Sequence, residues 1–366
     1  MAQKPQEIRP YPVAGLRRLG CAIFEGAGCR ADEAQIVSDH LVEANLAGHD
    51  SHGVKMIVKY MENMRNQGLF CNVPLEVIQD TGGIMAFDGG LGYGQRLARE
   101  ATEAAISRCQ GNGSVIWSLR NAHHIGRIGA YGEQVIDAGL VGLFFVNVVG
   151  HDPTVAPYGG REARFGTNPV CIAVPGGVHG APLLLDFATS KIAYGKVEVA
   201  HNKGVTVPEG SLVDANGYVS TDPGVMFDDK GGAQLAFGDY KGSGLALMCE
   251  LLAGALSGGN TIQPEHARPG NIINNLFSLL IRPDAMPGGG ALAGEVERLV
   301  SYVKDTPLMQ GADGVLLAGE PETKARANRL RDGIPLDAVT WENTLSSAEQ
   351  VGVSRSRAND LVFAES

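Results

Sequence analysis

One stretch, Val141-Gly142-Leu143-Phe144-Phe145-Val146-Asn147-Val148-Val149, is an almost unbroken apolar run rich in β-branched and aromatic residues. Such a strand needs cover on both faces, because a strand with one face in water alternates apolar with polar residues. The middle of the chain is therefore expected to be layered, with helices against a sheet. Around this run, residues 76–88 and Ser114–Ser118 read as strands, and Gly89-Gly90 breaks the first set before a polar helix from about Gly94 to Cys109. A helix is expected over His123–Ala138. Short strands follow near Val170–Val174 and Leu183–Leu185, then a turn-rich stretch from His201 to Asp239. Lys241-Gly242-Ser243-Gly244 opens an apolar helix to about Leu256; Leu276–Ile281 is a strand and Gly294–Lys304 a helix.

The two ends differ from this middle. Leu16, Leu19 and Ile23, then Ile36, Val37, Leu41 and Val42, recur at the three-and-four spacing of helices. Asp32 can cap the second, and a third carries Met56, Ile57, Tyr60 and Met64 to Gln67-Gly68. The last fifty residues are helical and charged in pattern, with breaks at Pro335 and Gly352. We expect a helical domain from residues 1–75 plus 305–366 and an α/β cofactor and substrate region over 76–304.

With 366 residues, 44% of them hydrophobic, the chain can bury a large core. Its formal charge of −10 would repel nucleic acid and anionic membrane, so neither is expected as a partner. The start lacks an apolar export segment and no window of about eighteen residues is uniformly apolar, so the expected compartment is the cytoplasm. Six cysteines without a C-x-x-C pair fit reduced thiols filling core space. The 50 glycines are dispersed, which implies many tight turns and close backbone approaches.

The common dinucleotide fingerprint, G-x-G-x-x-G between strand and helix, is absent. Gly26-Ala27-Gly28 follows a helical segment and reads as a helix end, Gly242-Ser243-Gly244 lacks phosphate-loop spacing, and no G-x-S-x-G elbow occurs. Two histidine clusters stand out instead: His49-Asp50-Ser51-His52 at a helix junction and His123-His124 before Gly126. Two chemistries could use them. In one, His49, His52 and His123 or His124 join Asp152 or Asp186 around a metal that hydrolyses a substrate. In the other, one imidazole is a general acid or base near neutral pH and another orients the substrate. Asp186 could serve ribose hydroxyls or an imidazole, or simply cap Ala188-Thr189-Ser190; Lys241 could meet a phosphate or carboxylate, or be a solvated helix-start lysine. Gly126, Gly129 and Gly132 leave a bare stripe for a flat ring or for close helix–strand packing.

The blocks Gly48–Val54, Asn121–Gly129, Phe165–Pro169, Leu185–Ser190 and Lys241–Leu245 resemble, in order and across most of the chain, the malate/L-lactate dehydrogenase family. The resemblance implies a non-Rossmann α/β fold with a largely antiparallel cofactor-binding sheet, a homodimer, and NAD or NADP as cofactor. It implies reduction of a small 2-oxoacid to its 2-hydroxyacid, with His124 as proton donor and acceptor and His52 and Ser51 in the same pocket. Cofactor contacts implied by the same matching are His52, Gly126, Arg127, Ile128, Leu184, Leu185, Asp186, Phe187, Ala188, Tyr240, Lys241, Asn274, Leu317, Ala318, Gly319 and Glu320, with no metal. Many members carry arginine where this chain has Met56, so another cation, Arg127 or a lysine, has to hold the substrate carboxylate. Reduction of a cyclic imine is the alternative within the family; a metal-dependent hydrolase and a noncatalytic dimeric binding protein are the alternatives outside it.

Overall fold

The computed structural model describes residues 8–176, 182–228 and 231–364. Its strands are β1 (Ile8–Tyr11), β2 (Glu76–Asp80), β3 (Ile84–Asp88), β4 (Ser114–His123), β5 (Val141–Val149), β6 (Val170–Val174), β7 (Leu183–Phe187), β8 (Leu212–Val213), β9 (Val219–Ser220), β10 (Ala233–Gln234), β11 (Ile273–Ile281) and β12 (Ile334–Asp337). The helices are α1 (Val13–Gly26), α2 (Ala31–Leu46), α3 (Met56–Arg65), α4 (Gly94–Asn112), α5 (Gly129–Asp137), α6 (Tyr194–Lys203), α7 (Gly224–Phe227), α8 (Tyr240–Cys249), α9 (Leu292–Lys304), α10 (Glu320–Asp332), α11 (Ala338–Gln350) and α12 (Arg355–Phe363).

Seven strands form one sheet in the order β2-β3-β4-β11-β5-β6-β7. Every neighbouring pair is antiparallel except β3 with β4, which are parallel and joined through α4. This is the largely antiparallel α/β fold expected. In β5, Gly142, Phe144 and Val146 are buried, and the alternate residues Leu143 and Phe145 are half-buried, so both faces have cover. One face packs with α4 and α5 around Leu97, Ala101, Trp117, Leu119 and Val135. The other lies under α8 and the π-helix Glu250–Leu256 that continues it.

A second core joins the chain ends. Leu16, Leu19 and Ile23 of α1, Val37 and Leu41 of α2, and Ile57 and Tyr60 of α3 pack with Ile334 and Leu336 of β12, Leu345 of α11 and Val362 of α12. At roughly 1.5–3 kcal/mol for each large aliphatic side chain removed from water, this cluster is what holds the terminal helices to α1–α3. β1 pairs with β12 antiparallel, fixing the same junction through backbone hydrogen bonds.

Three local expectations need correction. α2 starts at Ala31 behind Arg30, and Asp32 lies inside its first turn, paired with Arg30 at 3.3 Å, so it favours the positive helix end without capping it. The stretch expected to be turn-rich opens with the end of α6 and also holds the small sheet β10-β8-β9. The helix expected from His123 begins only at Gly129. His123 is the last residue of β4, paired in register with Ile273. The helix cannot start earlier because Gly126 has φ +75°, a left-handed value, and a side chain there would strike the His40 ring.

Candidate active site

Both halves of the fold supply the site. β4 delivers His123 and His124 at its end, while the turn Asp50–His52 and helix α3, from the terminal helical cluster, face them. His124 Nε2 lies 3.0 Å from His52 Nδ1, and Tyr60 Oη lies 2.6 Å from His124 Nδ1. Gln95 Nε2 donates to Tyr60 Oη at 2.5 Å. With the Gln95 amide nitrogen toward the phenol, Tyr60 donates to His124 Nδ1. His124 then carries its hydrogen on Nε2 and donates to His52 Nδ1, leaving the His52 hydrogen on Nε2. The result is a directed row of four side chains ending on the half-buried His52 ring.

The row is neutral at pH 7. Burial pushes His52 down to about 4, with neighbouring His49, Lys55 and Arg127 adding to it. Burial also holds His124 well below the ordinary imidazole range, with His52, His123 and His40 adding to it. His123 turns away from the row: its Nε2 accepts from Asn63 Nδ2 at 2.7 Å, and burial lowers it to about 3.

The turn after β4 is held by its backbone. Ile125 N donates to Asn274 Oδ1 at 3.0 Å, and Asn274 Nδ2 donates to Asn147 O at 3.1 Å. Arg127 N donates to His40 Nε2 at 3.0 Å. The Arg127 side chain is 1% exposed and paired to Glu133 at 2.6 Å. Burial opposes its charge, but Glu133 and Asp186 outweigh that and hold it above its ordinary value. Its Nε and Nη1 have no hydrogen-bond partner among the described residues. Asp186 Oδ2 accepts from Gly129 N at 2.9 Å, and burial raises the Asp186 carboxyl despite nearby His49 and Arg127.

Other sequence-derived residues gather here. Leu184, Leu185 and Phe187 belong to β7 with Asp186, and Ala188 follows. Gly319, just before α10, packs on the Leu184 backbone; a side-chain carbon there would be 3.5 Å from Leu184 N. Leu317, Ala318 and Glu320 flank it, with Leu317 N donating to Glu320 Oε2 at 2.9 Å. Ile128 is buried beside Gly129. Ser51 lies against Gly195 of α6 and Lys55, whose Nζ pairs with Glu198 at 3.0 Å. Tyr240 and Lys241 are exposed at the start of α8, where the Tyr240 ring meets Tyr158 at 6.2 Å, and Phe237 just before them packs on Phe187 of β7 at 5.3 Å. Gly132 settles the glycine stripe in favour of close packing, since a side chain there would come within 2.5 Å of Leu184 and 2.9 Å of Cys171.

The metal arrangement is not assembled. His49 pairs with Glu322 at 3.1 Å, Asp152 sits on the surface near Arg268 at 3.4 Å, and His123 points at Asn63. Among the described residues, the group of His, Cys, Asp or Glu donors close enough to share an ion is Cys29, Glu33 and Cys71. Met56 packs against the helical core, as its apolar side chain dictates. Sequence reasoning did not find His40, Lys55, Asn63, Gln95 or the role of Tyr60; Tyr60 and Met56 fit one helical stripe, and that stripe hid the polar duty of the phenol. Lys55 had one signal, its place beside Met56.

The malate/L-lactate dehydrogenase family model matches residues 11–344. The chain is 42% identical over 334 residues to hydroxycarboxylate dehydrogenase B of Escherichia coli (strain K12), covering 91% of each chain. It is 40% identical over 338 residues to an L-lactate dehydrogenase of Cupriavidus necator, covering 92% of this chain and 97% of the other. The solved sulfolactate dehydrogenase from Methanocaldococcus jannaschii superimposes with a TM-score of 0.82 at 29% identity, over 94% of this chain and 98% of that one. A largely antiparallel sheet bearing a histidine row at the end of β4, matched over nearly the whole chain, makes this protein a member of the malate/L-lactate dehydrogenase family.

Proposed function

We propose that this protein is an oxidoreductase that interconverts a small 2-oxoacid and its 2-hydroxyacid with NAD or NADP. The observation that carries the reading is the row Gln95–Tyr60–His124–His52, which ends in an imidazole hydrogen available to a substrate oxygen. When bound, the nicotinamide supplies hydride to the keto carbon. The residues deal with the charge that follows. An oxygen becoming alkoxide needs a proton, and an imidazole beside it contributes a rate factor of roughly 10²–10⁴. Burial, with the neighbouring basic side chains, keeps both rings neutral. An anionic 2-oxoacid brings the opposite charge and favours an imidazolium, so the pair is charged when there is something to protonate. Lys55, next to Ser51 and sensed by His52, is positioned to attract the substrate carboxylate in place of an arginine at Met56.

The polar groups beside the row suit a dinucleotide. Arg127 Nε and Nη1 lack partners among the described residues, and bare Gly129 lets Arg127 and Asp186 close on the start of α5, where a side-chain carbon would sit 2.4 Å from Arg127 Nη1 and 2.6 Å from Asp186 Oδ2. Arg127, Asp186, Leu185 and Gly319 are the residues we assign to holding it. Tyr240 and Lys241, exposed at the start of α8 beside the end of β7, are assigned to it from the solvent side. We further propose a homodimer, supported by exposed Leu247, Met248, Leu251 and Leu256 along α8 and its π-helical continuation. The division into a terminal helical domain and an α/β region is proposed on the strength of the two separate cores. A cytoplasmic setting is proposed on the unlinked cysteines.

The test is oxidation of NADH and NADPH with a panel of 2-oxoacids and a cyclic imino acid, for wild type, His124→Ala and Tyr60→Phe. We expect a 2-oxoacid to be the best substrate, kcat to fall about 10²–10⁴-fold in His124→Ala, and Tyr60→Phe to fall less. Preference for the imino acid would replace this substrate class. Wild-type turnover in His124→Ala would remove the Gln95–Tyr60–His124–His52 row from proton transfer.

A further inference from the structure

Away from the histidine row, the loop after α1 and the loop after α3 bring two cysteines together. Cys29 Sγ and Cys71 Sγ are 3.1 Å apart, with the Cys29 thiol donating to Cys71. Cys29 is buried and Cys71 is half-buried. The backbone around them is already fastened: Asn72, at φ +60°, donates from Nδ2 to Gly28 O at 2.8 Å and accepts from Arg30 N at 2.8 Å. Glu33 lies within reach of both sulfurs, but its Oε1 accepts from Arg96 Nε at 2.8 Å and its Oε2 from Asn72 N at 2.7 Å. A metal would have to compete with that buried ion pair for the Glu33 charge. A bond between the sulfurs needs only about 1 Å of closure to the usual S–S length near 2.05 Å.

We propose that Cys29 and Cys71 form a dithiol site that peroxides oxidise to an intramolecular disulfide. Cys71 is the attacking sulfur, since it is the more accessible of the two and accepts the Cys29 hydrogen bond, which lowers its pKa and favours the thiolate. The Cys71 thiol gives its proton to solvent, the thiolate attacks one peroxide oxygen, an S–O bond forms, the O–O bond breaks, and hydroxide leaves to become water. Cys29 then attacks the Cys71 sulfur. The S–S bond forms, the S–O bond breaks, and the Cys29 proton leaves with the departing hydroxide as a second water. Two thiols are oxidised by two electrons while one peroxide is reduced to two waters.

The link would join the α1–α2 turn to the segment leaving α3, closing a long loop of unfolded chain. It touches neither His52 nor His124. In a reducing compartment such bonds are transient and sensing in character, so the site would register oxidant and brace the helical cluster while the oxidant lasts.

The experiment treats the full-length protein with hydrogen peroxide under native conditions, then blocks remaining thiols in denaturant and maps peptides without reductant. We expect a Cys29–Cys71 linked peptide, an intact mass lower by two hydrogens, loss of two reactive thiols, reversal by dithiothreitol, and a Tm higher by about 5 °C. Cys29→Ser and Cys71→Ser should each abolish the linked peptide; the wild-type mapping stands on its own if either variant folds poorly. Oxidation confined to Cys21, linkage between two copies, or zinc alone retained stoichiometrically on Cys29 and Cys71 would each overturn the proposal.

Discussion

At the residue scale the site is governed by imidazoles kept neutral by burial. His52 is pushed down to about 4, His40 and His123 to about 3, and His124 well below its ordinary value. Unfolding frees these rings to protonate near pH 6.5. Between that pH and about 4 the unfolded chain binds more protons than the folded one, so stability falls as pH falls. Each fully buried ring costs about 1.4 kcal/mol per pH unit in that window. Asp186 and Glu250, whose carboxyls burial raises, act with the opposite sign, but the imidazoles outnumber them. Urea unfolding at pH 7.0, 6.0 and 5.0 should give a midpoint that drops progressively; a flat or rising midpoint would contradict the neutral row. His52 and His124 were legible in sequence because clustered histidines stand beside glycines, and Asp186 because it ends the apolar run Leu183-Leu184-Leu185. Tyr60, Gln95 and His40 were not, because each sits at a core-facing position of a helix whose spacing is satisfied without chemistry.

At the element scale, strands buried on both faces and helices with a strong apolar stripe could be read directly, as β5, β11, α1 and α9 were. α6 could not: Val197 and Ala200 are its only large or small apolar residues buried besides Gly195, among Lys196, Glu198, His201 and Lys203. The α5 start was misplaced because adjacent histidines say nothing about where a strand yields to a turn, whereas the positive φ at Gly126 does. α8 carries information of a different kind. Its sequence and that of its π-helical continuation are largely apolar, yet Leu247 and Met248 of α8 and Leu251 of the continuation are 43%, 47% and 45% exposed, a pattern that calls for cover. If a second copy provides it, Leu251→Glu should convert a dimer to monomer in light scattering at micromolar protein. A wild-type monomer, or a dimer unaffected by the substitution, would remove α8 from the interface.

At the scale of the whole molecule, one feature of topology carries the function. The histidine row closes only because the terminal helical cluster, with α3 and the Asp50–His52 turn, packs against the end of β4. The separate character of the chain ends was visible in their helical periodicity. The strand order β2-β3-β4-β11-β5-β6-β7 was not, because pairing β11 between β4 and β5 depends on contacts some 150 residues apart that leave no local trace. The central claim is that the imidazole row lies at the reacting carbon of the substrate. A crystal structure with NADH and a nonreactive 2-oxoacid analogue tests it most directly. The analogue's oxygen is expected within hydrogen-bond distance of His52 or His124, with the nicotinamide ring against the same carbon; a ring placed away from both histidines would contradict this.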